Sequence, residues 1–413
     1  MALARFLQVS DLHLGKPFAW LPAGRREDRR RDQQRALEQA VAQAIERGTH
    51  AILVPGDLFD SVNIDAGLLT FASKAFAVAG CPPVYISPGN HDPVSNSNAA
   101  WDQRLLQARG IAWPSHVHVF QSPSWAPATV PKLQGVRVWG RCFTANVESA
   151  ERPLARPTLA EVHGTNPLGF EVAVFHGSRE GFCPPGQKVT APFSDDEVAA
   201  SPFVYHAVGH YHSASRIEQP LTEGVNSAGA RLAYAGSAVS LDMTESGAHG
   251  ALEVRIEYGH RLPFIEVEPI ELDRRRVYDM SVDVTGSASA DAIDRRVIKA
   301  LDLAGAGELD LATVRLAGRL GAGVRWTGPG SDLRDRAFHM RFDTTGVRPD
   351  YDLGSYRARE PKTTEERFAR ELLAQIDGES DPARRATLER ALYHGLDAFK
   401  LREVAPAWDE VAG

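Results

Sequence analysis

Cysteine is nearly absent from this chain, with three residues (Cys81, Cys142 and Cys183) among 413. So few and so scattered, they exclude a disulfide framework and a thiolate zinc site, and they fit a cytoplasmic protein with reduced thiols. Long apolar runs are missing as well. The longest are broken by Gly, Pro or charge well short of the ~18 residues of a membrane span, so no membrane association is expected. No basic segment followed by a long apolar stretch precedes the first strand-like run, and no secretory leader is expected. Nor is one sign of charge in large excess: 46 Lys and Arg stand against 53 Asp and Glu, a net charge of −7. That balance leaves nucleic acid open as a partner, because binding depends on local patches and bound cations. Internal repeats and low-complexity tracts are also absent. What is present is an ordinary globular composition, 43% hydrophobic and 24% charged. The chain is long enough for two or three domains of roughly 100–200 residues each.

Apolar runs alternate with helical periodicity through the first part of the chain. Phe6–Val9 reads as a strand ending in Ser10-Asp11-Leu12-His13, and Arg26–Arg47 as a helix with Leu37, Ala40, Val41, Ala44 and Ile45 on one face. His50–Val54 reads as a strand ending in Pro55-Gly56-Asp57-Leu58-Phe59-Asp60, and Leu68–Val78 as a helix. Pro83–Ile86 is a third strand, ending in Pro88-Gly89-Asn90-His91-Asp92. Strands separated by helices predict a parallel α/β core. Further strands are expected at Val136–Trp139, Glu171–Phe175, Tyr205–Val208, Arg231–Tyr234, Ala251–Ile256 and Leu262–Val267, the last of them antiparallel. Pro-rich connections fall at Pro123–Pro131 and Glu151–Pro167, and a boundary is expected near Pro269–Arg276. Beyond it, Val277–Val284, Asp291–Leu303 and Leu311–Leu316 read as strand, amphipathic helix and strand. Thr363–Ile376 and Pro382–Phe399 read as two helices joined by Asp377-Gly378-Glu379-Ser380-Asp381.

The strand ends carry the chemistry. Ligands of open α/β sheets bind beyond the carboxyl ends of the strands. Asp11, His13, Asp57, Asn90, His91, His176, His210 and His212 are therefore candidates for one rim. Taken singly, each has a plain reading: Asp11 as a turn cap, His176 as a hydrogen-bonded core histidine, Gly209-His210-Tyr211-His212 as a solvent-facing strand end. On a strand, however, His210 and His212 share a face. Five such segments in order, each closing an apolar run, favour a common site. The set is oxygen and imidazole without thiolate, which suits Mn²⁺, Fe²⁺ or Zn²⁺, with Mg²⁺ also possible. That many donors are too many for one catalytic ion and suit two ions sharing a carboxylate.

This series of motifs resembles the calcineurin-like metallophosphoesterases over residues 1–270 and, within them, the SbcD-type DNA-repair nucleases. Tyr234-Ala235-Gly236-Ser237, followed by Gly250–Ile256, is similar to the same branch. The resemblance implies an α/β fold: a metallophosphoesterase-type mixed-sheet core flanked by helices over 1–270, a small α+β capping domain over 271–358, and a helical tail over 359–413. It implies that Asp11, His13 and His212 hold one ion, that Asn90, His176 and His210 hold the second, and that Asp57 bridges them. The ions are expected to be Mn²⁺. His91 matches a catalytic histidine that is not a ligand, and Asp60 is expected to orient it. Two divalent ions neutralise a phosphodiester and stabilise its leaving oxygen. A protonated His91 would stabilise the oxyanion or donate to the departing oxygen.

The metal set does not choose the substrate. Asp60 is followed by Ser61-Val62 and His91 by Asp92, unlike the Arg and Glu typical of the superfamily's protein phosphatases. The long extension past residue 270 favours a larger substrate or a partner. Together with the resemblance, which implies a DNA-repair nuclease, the expected function is a metal-dependent DNA exo- or endonuclease. Lys16, Arg25, Arg26, Arg29 and Arg30 are the expected DNA contacts, against a plain reading as a solvated helix face interrupted by Glu27, Asp28 and Asp32. The tail, with Phe368, Leu372, Leu373, Ile376, Leu388, Leu392, Leu396, Phe399 and Leu401, has apolar positions suited to docking on a partner helix, and the resemblance implies that this partner is an SMC-like ATPase of the SbcC type; otherwise the tail packs on its own chain. A homodimer is also expected. Two other readings stay open: a small-molecule phosphodiesterase acting on cyclic nucleotides, and a non-enzymatic adaptor for the ATPase.

Overall fold

The alternation read from the sequence builds β1 (Ala2–Gln8), α1 (Ala23–Glu46), β2 (Ala51–Val54), α2 (Ala66–Phe76), β3 (Val84–Ile86), α3 (Gln103–Ala108) and β4 (Val117–Val119). There follow β5 (Ala126–Thr129), β6 (Val136–Gly140), β7 (Phe170–His176), α4 (Asp195–Ala200), β8 (Tyr205–Gly209), β9 (Ser215–Gln219), β10 (Ala228–Tyr234), β11 (Gly250–Tyr258) and β12 (Phe264–Glu271). The computed structural model describes residues 2–95, 98, 100–156, 158–160, 162, 169–184, 188–219, 227–259, 262–321 and 323–402. Parts of the Pro-rich connection at 151–167, and the end of the tail at 403–413, lie outside the described residues. The chain divides into two compact units, Met1–Tyr278 with Leu309–Leu311, and Asp279–Glu308 with Ala312–Gly413. Among the described residues, no helix is long and apolar enough to cross a membrane.

The first unit is mixed α/β, a large curled sheet flanked by helices. Its strand order is β4-β3-β2-β1-β11-β12-β10-β8-β7-β6-β5, with β9 paired to β10. β1, β2, β3 and β4 run parallel, as do β6, β7 and β8. The antiparallel β11 lies along β1, pairing Ala2 with Tyr258 and Gln8 with Leu252. The curl brings apolar side chains of the two wings together: Phe6, Leu53 and Tyr85 meet Val138, Val172, Val174 and Tyr205 in one core. Gln8 is buried there because its amide is satisfied: Nε2 donates to Ala233 O at 2.8 Å and Val208 O at 3.3 Å. On the outer face, α1 packs its stripe of Ala36, Leu37, Ala40, Val41 and Ala44 towards β1 and β2. The parallel connections and the closing of the sheet carry the carboxyl ends of β1, β2, β7 and β8 to one rim.

The second unit contains β13 (Val277–Asp283) from Asp279 on, α5 (Ala290–Ala304), β14 (Leu311–Leu320) from Ala312 on, α6 (Ser331–Arg334), β15 (His339–Pro349), α7 (Leu353–Ala358), α8 (Thr364–Gly378) and α9 (Pro382–Leu401). β13, β14 and β15 form one sheet, and α5 buries Ile293, Val297 and Leu301. α8 begins with a Thr363–Glu366 capping box, and α9 with Asp381 accepting from Ala383 N at 3.1 Å. The tail helices close a core of their own, Ala369, Leu373, Ile376, Leu392 and Leu396, on which Tyr351, Leu353, Tyr356 and Phe368 pack.

The basic cluster after β1 requires a correction. Arg29 is not a DNA contact, because its side chain is fully buried. Its guanidinium donates to Asp273 Oδ1 at 2.8 Å and Oδ2 at 2.5 Å, to Asp32 Oδ2 at 3.3 Å, and to Ser240 O and Oγ at 2.8 and 2.7 Å. An intact buried ion pair contributes little net stability, because desolvation offsets the attraction, but breaking it strands the other charge. Arg29→Ala is therefore expected to lower stability by about 3–5 kcal/mol in denaturant unfolding. Arg31→Ala, which breaks an exposed pair with Asp28, is expected to cost about 0–1 kcal/mol. Equal costs for the two variants would contradict the buried network.

Candidate metal centre

Several backbone positions at the rim are strained in the same way. Asp11, His13, Asp57 and His210 have φ of 49°, 45°, 51° and 111°. Such conformations cost non-glycine residues about 1–3 kcal/mol each and persist where surrounding structure holds them, often at functional sites. The surroundings here are close backbone contacts. A Cβ at Gly56 would overlap Nδ1 of His176, and one at Gly89 would overlap the carboxylate of Asp57. Only glycine lets those two turns approach so closely. Asp11 also accepts from His210 N with both oxygens, at 3.0 and 3.2 Å, joining the turn after β1 to the turn after β8.

The side chains converge on Asp57. Its Oδ2 lies 3.5 Å from His13 Nε2 and 3.3 Å from His176 Nε2, and its Oδ1 accepts from His91 N at 3.0 Å. His176 Nδ1 donates to Pro55 O at 3.1 Å, which turns Nε2 towards Asp57 and towards Asn90 Oδ1, 2.9 Å away. Asp11, His13 and His212 form one group whose ligand atoms lie within 4.8 Å of one another, and Asp11, Asp57 and His176 form a second. His13, Asp60 and His91 form a third. His210 belongs to none of these groups. Its Nε2 donates to Lys188 O at 2.6 Å, and its ring sits 5.1 Å from that of His176.

Burial sets the charge states. His13 is held down to about 4 by burial, so its imidazole is neutral at pH 7. Burial also lowers His210 to about 3, with the His176 charge adding to the effect. Burial raises Asp11 to about 6. At His176 burial pulls downward, but the Asp57 carboxylate outweighs it and lifts the imidazole to about 9. Asp57 itself, despite burial, is held well below the usual carboxylate range by His176.

The donor set fits divalent ions. His13 Nε2 is buried without a hydrogen-bond partner, which is costly for a polar atom unless something else satisfies it. The nitrogen is neutral and faces Asp57, as a metal ligand would. The remaining ring nitrogens are fixed from behind: His13 Nδ1 lies 3.1 Å from Asp60 Oδ1, and His212 Nδ1 2.7 Å from Glu245 Oε1. These outer carboxylates orient the imidazoles and select the tautomer that offers Nε2 inward. Asp60 thus differs from expectation, because its carboxylate bonds His13 and not His91. The carbonyl of Asp60 is what faces His91 Nδ1, at 3.1 Å.

Two residues of the site escaped the sequence reading. Glu245 lies 33 residues beyond His212 and ends no apolar run. Asp92 is a neighbour of His91 whose buried carboxylate accepts from Gly89 N at 2.8 Å and Phe59 N at 3.1 Å, stapling the second and third motifs together. Of the basic cluster, Lys16 reaches the rim, with Nζ 3.6 Å from Asp60 Oδ1. Arg26 bonds the carbonyls of Leu21 and Ala19 at 2.8 and 3.1 Å, and Arg30 bonds Glu27 at 2.6 Å. Arg25 is half-buried at the start of α1.

Residues 4–213 match the family model of the calcineurin-like phosphoesterases, and the chain belongs to that family. Membership implies phosphoester hydrolysis with two divalent metals, for which the groups above are candidate ligands. The chain is 24% identical over 306 residues to the uncharacterized metallophosphoesterase YhaO of Bacillus subtilis (strain 168), a match covering 71% of this chain and just under two thirds, 66%, of that protein. Among solved structures it is similar to TT1561 of Thermus thermophilus, with 14% identity and a TM-score of 0.35 over 65% of this chain and 99% of that one. It is also similar to the purple acid phosphatase PPD1 of yellow lupin, with 12% identity and a TM-score of 0.36 over 65% of this chain and 52% of that one.

In metal-free protein at pH 7, His176 carries a proton that a metal must displace, because its pKa is raised to about 9. Metal binding should therefore release protons, and affinity should rise with pH towards about 9 and level off above it. Titration calorimetry in buffers of different ionisation enthalpy measures this, and a buffer-independent heat would contradict it. In the same titration, Glu245→Gln, which weakens the restraint on His212, should reduce metal affinity by about 10–100-fold.

Proposed function

We propose that this protein is a metal-dependent nuclease that hydrolyses DNA phosphodiesters. The observation that carries the reading is the convergence of buried imidazoles and carboxylates around Asp57, beside an open cleft of about 720 Å³ lined in part by Lys16, Trp20, Asp60 and His212. Asp11, His13 and His212 would hold one ion, and Asn90, His176 and His210 the second, with Asp57 between them. Mn²⁺ suits this oxygen and imidazole set. When bound, two such ions supply Lewis acidity and neutralise the charge of the diester. The protein's own residues do the rest. Asp57 and the Asp60 carbonyl fix His91 at its backbone N and at Nδ1, which leaves Nε2 to carry a proton to the departing oxygen. Asp60 and Glu245 hold His13 and His212 in their tautomers.

The open cleft and the second folded unit favour a polymeric diester over a small one. We extend the proposal to a partner, an SMC-like ATPase docking on the tail helices, where Phe399 and Leu401 are each 42% exposed. We place the protein in the cytoplasm, since Cys81, Cys142 and Cys183 are free thiols.

The test is cleavage of end-labelled single- and double-stranded DNA with Mn²⁺, with Mg²⁺ and with chelator. Mn²⁺-dependent cleavage is expected, with His91→Ala lowering kcat by about 10²–10⁴-fold and Asp57→Asn abolishing it. Intact DNA beside hydrolysed cyclic nucleotide would replace this reading with that of a small-molecule phosphodiesterase.

A further inference from the structure

The cleft beside the metal centre has two kinds of lining. Asp60, His212 and Glu245 belong to the centre. Pro17, Phe18 and Trp20 of the β1–α1 loop, with Leu241, add an apolar wall. The metal-ligand chemistry does not require such a wall, and it is built rigidly. Phe18 is buried with φ of 47°, a strained conformation for an aromatic residue. Its ring lies 5.9 Å from the guanidinium of Arg29 and packs edge-on to Trp20 at 6.2 Å. The Trp20 indole donates to Leu241 O at 3.0 Å, tying the loop to the segment that carries Glu245. Arg29 reaches the same segment through Ser240 O and Oγ. The buried network of Arg29 thus braces the loop and the segment that together line the cleft.

We propose that this cleft is a nucleobase subsite in which the base next to the scissile phosphate packs against Trp20, while Lys16 at the mouth meets a phosphate oxygen. The inference rests on the phosphodiesterase reading above and names the part of the substrate that the site recognises. An aromatic wall accepts any base by its π-face, and such stacking contributes about ten- to a hundredfold in binding. A cleft held open in advance adds little ordering cost. Among the described lining residues, Lys16 is the only lysine or arginine, so within this cleft one phosphate of the chain is met by charge and the apolar lining suits a planar group. The subsite reads a base without reading its identity.

The test uses the full chain with Mn²⁺ and two substrates of equal charge: a thymidine tetranucleotide, and the same chain of phosphates with abasic sugars. Wild type should have a KM about tenfold or more lower for the base-bearing substrate. Trp20→Ala should erase that preference by raising the KM of the base-bearing substrate towards that of the abasic one, and Trp20→Phe should keep most of it. Equal losses on both substrates for Trp20→Ala would show that Trp20 only supports the loop, and an unchanged preference would show that the base lies elsewhere; either overturns the subsite and leaves the nuclease reading intact. Failure of wild type to cleave either substrate would overturn both.

Discussion

Asp57 stands between two imidazoles, 3.5 Å from His13 and 3.3 Å from His176, and the architecture of the first unit serves that placement. A buried carboxylate is costly unless paired. Here the pairing comes from residues on β7 and on the turns after β1 and β3. Those elements meet only because the sheet curls until its two wings share one core. The left-handed turns at Asp11, His13, Asp57 and His210 are the local cost of this convergence, and the glycines at Gly56 and Gly89 permit the final approach. The constraint is thus one of geometry as well as charge: the donors must all reach one rim, and the strand ends must turn sharply to bring them there.

The outer carboxylates matter as much as the inner one. Asp60 behind His13 and Glu245 behind His212 set which nitrogen faces the centre, and Asp92 fastens the turn after β3 to the turn after β2. Arg29 plays the corresponding part for the cleft. A positive charge buried against Asp273, Asp32 and Ser240 braces the long helix α1 and the segment that bears Glu245. Removing the charge would loosen the helix and that segment together.

Much of this was legible in the sequence because each motif closes an apolar run, and strand ends in an α/β sheet converge by rule. The strands and helices from Phe6 to Ile86 lie within a few residues of their expected places. Other features had no local signal. β11 lies along β1 through a pairing of residues far apart in the chain, from Ala2 with Tyr258 to Gln8 with Leu252; no periodicity announces it. Glu245 is one acidic residue among many until the fold sets it on His212. Arg29 looks like its neighbours Arg26 and Arg30 in the sequence, and only its helix position, facing Asp273, buries it. The role of Asp60 turned on the distinction between a side chain and its own carbonyl, which residue order does not encode.

The central claim is that Asp57 joins two ions in one centre. Electron paramagnetic resonance of the protein loaded with Mn²⁺, alongside metal content, tests it directly. The account predicts two Mn²⁺ per chain with a magnetically coupled spectrum, and loss of that coupling in Asp57→Asn. A single uncoupled ion per chain, or coupling that survives Asp57→Asn, would contradict it.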